Sequence, residues 1–423
     1  MNPLEAVLIG AGARGSGGAG RYAERFSQEL KFVAVAEPDK GKRELFARKH
    51  NIPAENCFTT YEEVLEREQM APLCFNMTMD KLHYESAMKL LDKGYHLFLE
   101  KPMADTPGKC LEIAEKARRL NRMLQVCHPM RFTPIYTKIK ELLDEGKIGK
   151  IISLSMYENV AYWHFAHSYV RGNWHRLDES GPLILTKCCH DMDLATWLVD
   201  DHVSKTASFG NLKYFRKENA PAGAPKYCLE GCPAEKTCSF YAPAMYLTGD
   251  TDWPVSVISV DKSAEAREKA LKTGPYGRCV FQNDNDIADH QVVAAEFNNG
   301  VTLDFAVRAN TFSCYRTARI IGTEGELNAH DEKSEISIKR FGQGHGESEK
   351  EQVYKVDVSD TEGHQGGDEG VIRNFLNCFR EKKVEFMDHS LDIAVEAHFL
   401  SFAAEQARIS GKVIDMGEFK RSV

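Results

Sequence analysis

Glu5-Ala6-Val7-Leu8-Ile9-Gly10-Ala11-Gly12-Ala13-Arg14-Gly15 carries a short apolar run straight into a glycine loop. An apolar run of this length, bounded by glycines, reads as a buried strand, and the amphipathic stretch Gly15–Glu29 reads as a helix. Gly10-x-Gly12-x-x-Gly15 at such a strand–helix turn suits a dinucleotide. One glycine permits the tight turn, one lets backbone approach a pyrophosphate, and one lets helix pack close to strand. The helix N-terminus adds free N–H groups and a positive dipole end. Glu37 ends the next strand, Phe32–Ala36. A carboxylate there accepts ribose hydroxyls and repels a 2′-phosphate, so NAD is expected over NADP. The plainer alternative is a flexible loop, because Gly17, Gly18 and Gly20 extend the glycine richness.

The same alternation continues. Helices are expected at Gly41–His50, about His83–Lys93 and Pro107–Leu120, and strands at Leu73–Met77, Tyr95–Leu99 and Met123–Cys127. Strand, helix, strand in this order means a doubly wound parallel sheet, a Rossmann domain over residues 1–127. After a helix near Pro134–Glu145 the pattern changes. Lys150–Asn159, Lys205–Leu212, His290–Phe297, Val301–Ala309, Tyr315–Ile321 and Glu335–Phe341 read as strands, and Asn298-Asn299-Gly300 as a hairpin turn. Residues 128–423 are therefore expected to form an α+β domain with a largely antiparallel sheet, interrupted by a Cys/Pro/Gly-rich insertion at 213–289. Gly342–Gly367 reads as a polar loop, and helices about Val371–Glu381 and Leu391–Ser410 close the chain.

Bulk properties narrow the function. A chain of 423 residues exceeds one small core. A net charge of −8 argues against a nucleic-acid partner. No apolar run reaches the roughly 20 residues that span a bilayer. The N-terminus lacks a basic head and cleavage site, so a cytoplasmic location and no membrane partner are expected. Most of the 12 cysteines are scattered singly and read as thiols. Cys228-x3-Cys232-x5-Cys238, with Cys279 further on, is the exception: four thiolates could staple the insertion through a structural zinc, independent thiols being the alternative.

Glu100-Lys101-Pro102 follows the strand Tyr95–Leu99, at the carboxyl end of the parallel sheet where ligands bind. A lysine there can reach a substrate hydroxyl and, with its pKa lowered by burial or cationic neighbours, accept a proton. Without context it would be an ordinary surface lysine. Glycine loop, acid after the second strand, Gly94-Tyr95-His96-Leu97-Phe98-Leu99-Glu100-Lys101-Pro102 and an α+β second domain together resemble the Gfo/Idh/MocA oxidoreductases. The resemblance implies that Gly10, Gly12, Ala13, Arg14, Gly15, Glu37, Thr78, His83, Glu100 and Lys101 line the cofactor, with Arg131 near nicotinamide and substrate. It also implies a small carbohydrate substrate (a sugar, cyclitol or glycoside) and a homo-oligomer.

The resemblance extends to Ser180-Gly181-Pro182-Leu183-Ile184-Leu185-Thr186-Lys187-Cys188-Cys189-His190, similar to the turn and helix carrying the family's catalytic histidine. Many relatives have an aspartate four residues before it; here Thr186 stands there. Lys187 is a candidate to contact substrate or tune proton transfer. Imidazole chemistry suits His190 for taking a hydroxyl proton, although a buried or capping histidine is the bland reading. Lys101 is assigned to proton transfer with His190 bonded to the same hydroxyl, the reverse staying open. The aromatic segment Tyr162–Arg176 either holds a polyhydroxylated ring or packs over the domain interface. An NAD-dependent dehydrogenase of a secondary hydroxyl is the leading expectation. A redox glycosidase, cleaving by transient oxidation and elimination, is the alternative, and a non-enzymatic NAD or sugar sensor is the third.

Overall fold

The computed structural model describes residues 2–344, 351–358 and 363–423, apart from the side chain of Phe386. The first sheet is built from β1 (Leu4–Ile9), β2 (Leu30–Ala36), β3 (Cys57–Phe58), β4 (Leu73–Asn76), β5 (His96–Leu99) and β6 (Leu124–Val126). Its order is β3-β2-β1-β4-β5-β6 and every pairing is parallel. The order reverses between β1 and β4, which opens a crevice at their carboxyl ends, and the glycine loop and Glu100 both emerge there. Both faces of β4 and β5 are covered, so they read as continuous apolar runs rather than alternating ones.

The second sheet holds β7 (Ile151–Ala161), β8 (Val203–Asn211), β9 (His290–Phe297), β10 (Thr302–Thr311), β11 (Tyr315–Gly322), β12 (Gly325–His330), β13 (Glu335–Arg340), β14 (Gln352–Lys355) and β15 (Ile414–Asp415). Its order is β14-β13-β12-β11-β7-β10-β9-β8-β15, and β7 with β10 is the parallel pair in an otherwise antiparallel sheet. The β9–β10 hairpin turns through Gly300, at φ +84°, while Asn299 Oδ1 accepts the Val301 N–H at 3.1 Å. Part of the segment expected to be a polar loop is strand β14; residues 345–350 and 359–362 of it lie outside the described residues.

Helices α1 (Cys189–Val199), α2 (Gly367–Glu381) and α3 (Val384–Ser410) position the site. α1 and α3 pack on each other and on the second sheet. α2 follows the second sheet in sequence but packs on the first. Val371, Ile372, Phe375 and Leu376 share a core with Ala6, Leu8, Phe32 and Phe75, and the Phe375 ring lies 5.7 Å from that of Phe98. The chain thereby returns to the glycine loop. No described helix is long and apolar enough to cross a membrane.

Candidate active site

Gly10 leaves β1 at φ +89°, and an added Cβ would stand 2.5 Å from the Met77 carbonyl oxygen. An added Cβ at Gly15 would stand 1.9 Å from the Gly10 carbonyl oxygen, so this glycine lets the helix start against the loop. Gly12 differs. An added Cβ there meets nothing within 4 Å, and the neighbouring Ala13 is exposed, so this side of the loop faces open space. Glu37 is buried at the rim, its carboxylate accepting from the N–H groups of Ala11 at 2.8 Å and Asp39 at 3.0 Å. Open backbone beside an oriented carboxylate fits a dinucleotide without a 2′-phosphate.

Arg14 turns inward. Its Nε donates to Glu100 at 2.6 Å, and Nη1 and Nη2 donate to the two oxygens of Asp368 at 2.9 Å each. Burial opposes ionisation of both carboxyls, yet the guanidinium holds each below the usual carboxylate range. Thr78 donates to Asn76 Oδ1 at 2.9 Å. Buried His83 lies between the carbonyl oxygens of Pro102, at 2.7 Å, and Thr78, at 2.9 Å, fastening the turn that carries Lys101 to the end of β4. The Lys101–Pro102 peptide is cis.

Lys101 Nζ donates to the Thr186 carbonyl oxygen at 2.6 Å and lies 5.7 Å from the ring centre of Trp174. The indole N–H of Trp174 is in turn donated to Asp80 at 3.0 Å. Thr186 therefore meets Lys101 through its backbone, not its side chain. His190 is the second residue of α1 and is buried, with no partner for Nδ1 among the described residues; its ring centre is 5.7 Å from that of His128 and 5.8 Å from that of His364. Burial, reinforced by the Lys101 charge, holds His190 well below the ordinary imidazole pKa, so the ring is neutral.

Lys187 Nζ is 2.9 Å from Glu158, whose other oxygen is 2.9 Å from Arg316 Nε; Arg316 also reaches Asp191 at 2.8 Å. Burial works against its charge, but Glu158 keeps the Lys187 ammonium above the ordinary lysine value. It is a fixed cation. Arg131 is likewise engaged, its guanidinium forking onto Asp193 and donating Nη1 to Ser390 at 3.1 Å. Part of the aromatic segment packs on the insertion: His167 Nδ1 is 2.8 Å from Tyr246 Oη, and buried Arg171 donates to the carbonyls of Arg278 and Phe240 at 2.7 Å. Trp174 faces Lys101 instead.

Among the described residues no three of the four insertion cysteines bring their sulfurs within 4.8 Å of one another, although Cys228 interacts electrostatically with both Cys238 and Cys279. Cys228 packs in a small core with Ala242, Tyr246 and Leu271, while Cys279 and Cys238 pack against the main core. Among the described residues, the group whose ligand atoms lie within 4.8 Å of one another is His128, Cys189 and His190. His128, His364 and Asp368 escaped the sequence reading. His128 stood in view three residues before Arg131, but His364 lies in a stretch whose polarity reads only as loop, and Asp368 directly follows it.

Residues 4–128 match the model of the oxidoreductase family's NAD-binding Rossmann fold, and residues 140–391 match that of its C-terminal alpha/beta domain. The chain is 24% identical over 365 residues to the Bacillus subtilis protein designated oxidoreductase YteT, covering 82% of each chain. It is 25% identical over 247 residues to scyllo-inositol 2-dehydrogenase (NAD(+)) of Bacillus subtilis, 58% of this chain and 61% of that one. The solved structure of levoglucosan dehydrogenase with NADH and levoglucosan has the same fold: TM-score 0.71 and 15% identity, over 98% of this chain and 100% of that one. Two matched domains, a glycine loop at the sheet's crevice and a lysine at the end of β5 lead to one assignment. The chain belongs to the Gfo/Idh/MocA family of oxidoreductases, with the family's NAD-binding Rossmann fold at its N-terminus.

Proposed function

We propose that the protein is an NAD-dependent dehydrogenase acting on a secondary hydroxyl of a sugar, cyclitol or glycoside, with Lys101 and His190 handling the hydroxyl proton. The observation that carries this reading is the hold of Lys101 Nζ on the Thr186 carbonyl, beside the neutral ring of His190. NAD, held by Gly10, Gly12, Ala13, Gly15 and Glu37, supplies the hydride acceptor when bound. The protein's part is to hold the alcohol in register and exclude water. Lys101, fastened on one side only by a neutral oxygen, is placed to meet a hydroxyl; neutral His190 can accept from the same group. Trp174 offers an aromatic face to the C–H side of a ring substrate. The inositol and levoglucosan dehydrogenases among the similar proteins support this substrate class.

The test incubates the purified protein and NAD with myo-inositol, scyllo-inositol, D-xylose, levoglucosan and aryl glycosides, following NADH absorbance and products. Net NADH with a ketone product is expected. Lys101→Met should lower kcat by about 10²- to 10³-fold, within the usual range for losing a general acid or base, while NAD affinity stays within about threefold. Full activity in both Lys101→Met and His190→Gln would remove the proposed site. Glycoside cleavage without net NADH would assign the redox-neutral elimination instead. A second copy of the chain is proposed to cover the second sheet's outer face, where paired Phe209 and Val292 are exposed; Phe209→Asp should then reduce the solution mass by light scattering.

A further inference from the structure

The segment leading into α2 holds a structure that the proposed reaction does not use. Gly363, His364, Gln365 and Gly366 are consecutive residues with positive φ, at 28°, 46°, 52° and 84°. His364 and Gln365 carry side chains that disfavour this region, and such backbone persists only where its surroundings determine it. They do so here. The Gly366 N–H donates to the Gly363 carbonyl at 3.1 Å. An added Cβ at Gly363 would stand 2.3 Å from Asp368 Oδ2, and one at Gly367 would stand 2.3 Å from the Pro129 carbonyl oxygen.

The turn sets His364 Nδ1 3.0 Å from Asp368 Oδ1, and its ring 5.8 Å from that of His190. Asp368 is fixed by two bonds from Arg14 and is ionised. An ionised carboxylate only accepts, so Nδ1–H of His364 is the donor and Nε2 is left as an acceptor. A histidine–carboxylate pair, lacking at Thr186 and His190, is thus supplied from the far end of the sequence. The two histidines differ in what they can hold. His190 is buried against Lys101 and His128, where an imidazolium is disfavoured. The His364 side chain is 39% exposed and beside a carboxylate, so its ring meets both Asp368 and water, which the buried ring of His190 does not. The titratable groups facing His364 are Asp368 with Arg14 beyond it, His190 and His164.

We propose that His364, oriented by Asp368, is a positioning and relay residue that receives the substrate hydroxyl's proton from His190 and releases it to water. The inference rests on the dehydrogenase reading above. The alcohol C–H leaves as hydride, with both electrons, to NAD+; the O–H proton, handled by Lys101 and His190, passes from His190 to His364 and then to solvent, and C=O forms.

The test uses whichever of myo-inositol, scyllo-inositol, D-xylose and levoglucosan the wild-type protein oxidises best. His364→Gln should lower kcat about 10²-fold, in the range of a lost proton-transfer group, with KM within about threefold. NAD affinity should hold, because Arg14 keeps Asp368. Imidazole in solution should restore His364→Ala but not Asp368→Asn. A His364→Gln enzyme with kcat within about twofold of wild type, or a His364→Ala enzyme that imidazole does not restore, overturns the proposal. If the wild-type protein oxidises none of the four polyols, the dehydrogenase reading is what fails. The pair is then read without substrate, by ¹⁵N NMR of imidazole-labelled protein, with His364→Gln to assign the signal. An Nδ1–H tautomer that Asp368→Asn abolishes supports the proposal, and an Nε2–H tautomer overturns it.

Discussion

Arg14→Met deletes one charge from a part-buried triad while keeping the aliphatic stem. In the wild-type protein the guanidinium makes one bond of 2.6 Å to Glu100 and two of 2.9 Å to Asp368. Bonds to charged groups contribute about 1.5–3 kcal/mol each, so a naive sum runs from about 4.5 to 9 kcal/mol. That sum is too large. The Arg14 side chain is 35% exposed, so water screens part of the interaction, whereas those of Glu100 and Asp368 are 5% and 10% exposed. Removing one partner of a buried pair usually costs about 3–5 kcal/mol, and screening places Arg14→Met near the lower end, about 3 kcal/mol at pH 7. Most of this loss is the penalty on two buried carboxylates left without their shared cation. Adding Asp368→Asn should therefore return about half of it. Urea unfolding of wild type, both single variants and the double variant closes the cycle. The sign with pH follows from the depressed carboxyls: their stabilisation is full above about pH 4, the unfolded value, and fades as pH falls through the folded value. The difference between wild type and Arg14→Met should accordingly shrink on acidification. A single-variant loss below about 1 kcal/mol, or additive losses in the double variant, would refute the reasoning.

Gly12→Ala should weaken NAD binding by about tenfold or more, since a Cβ would occupy the approach to the pyrophosphate, yet leave urea stability within about 0.5 kcal/mol. Gly15→Ala, whose Cβ would meet the Gly10 carbonyl at 1.9 Å, should destabilise the apo protein as well. Isothermal titration beside urea melts separates the two. Glu37→Gln should narrow the preference for NAD over NADP, because the repulsive charge is gone; an unchanged ratio of dissociation constants would deny Glu37 that role. Burial holds His96 at about 4 and His167 at about 3, each helped by a nearby arginine. Both rings are neutral in the fold and would charge on unfolding, so their stabilisation is full above about pH 6.5 and is lost as pH falls. Two such protons give a slope of about 2.7 kcal/mol per pH unit near pH 5, which the His96→Asn/His167→Asn variant should flatten.

What the sequence made legible was local. The run into Gly10, the spacing to Gly15 and the acid after β2 depend on neighbours within one βαβ unit, and Asn299-Gly300 names its own hairpin. Elements with little pattern escaped: β3 is two residues long, and β14 is short and largely exposed. The helix Ala264–Thr273 was hidden inside a segment whose Pro, Gly and Cys content reads as irregular. Long-range pairings were not readable at all. Arg14 and Asp368 are 354 positions apart, and nothing in either neighbourhood announces the other. Thr186 shows a further limit. The missing aspartate was visible, but its backbone carbonyl reaches Lys101, and a backbone contact leaves no mark on residue identity. The cysteine spacing announced a cluster but not its form: Cys228 packs in one apolar cluster and interacts electrostatically with Cys238 and Cys279, which pack against another.

The charges around the site also bear on which lysine moves a proton. Arg14 faces Glu100 and Asp368, Arg131 faces Asp193, and Arg316 and Lys187 face Asp191 and Glu158. Replacing such pairs by apolar residues is often neutral or stabilising, so stability alone does not explain them. They do fix each cation in one place. A proton taken from Lys187 would leave Glu158 buried with one cation fewer, which is costly. Lys101 Nζ is held instead by the Thr186 carbonyl, a neutral acceptor, so deprotonation strands no carboxylate at that contact. Thr186 in place of aspartate therefore changes the chemistry open to the lysine. With an aspartate on Lys101 the ammonium would be locked as Lys187 is; with a carbonyl it can give and take a proton. Thr186→Asp tests this directly. It should slow turnover at neutral pH, and unchanged turnover would leave Lys101 only to hold the hydroxyl and return the proton to His190 alone.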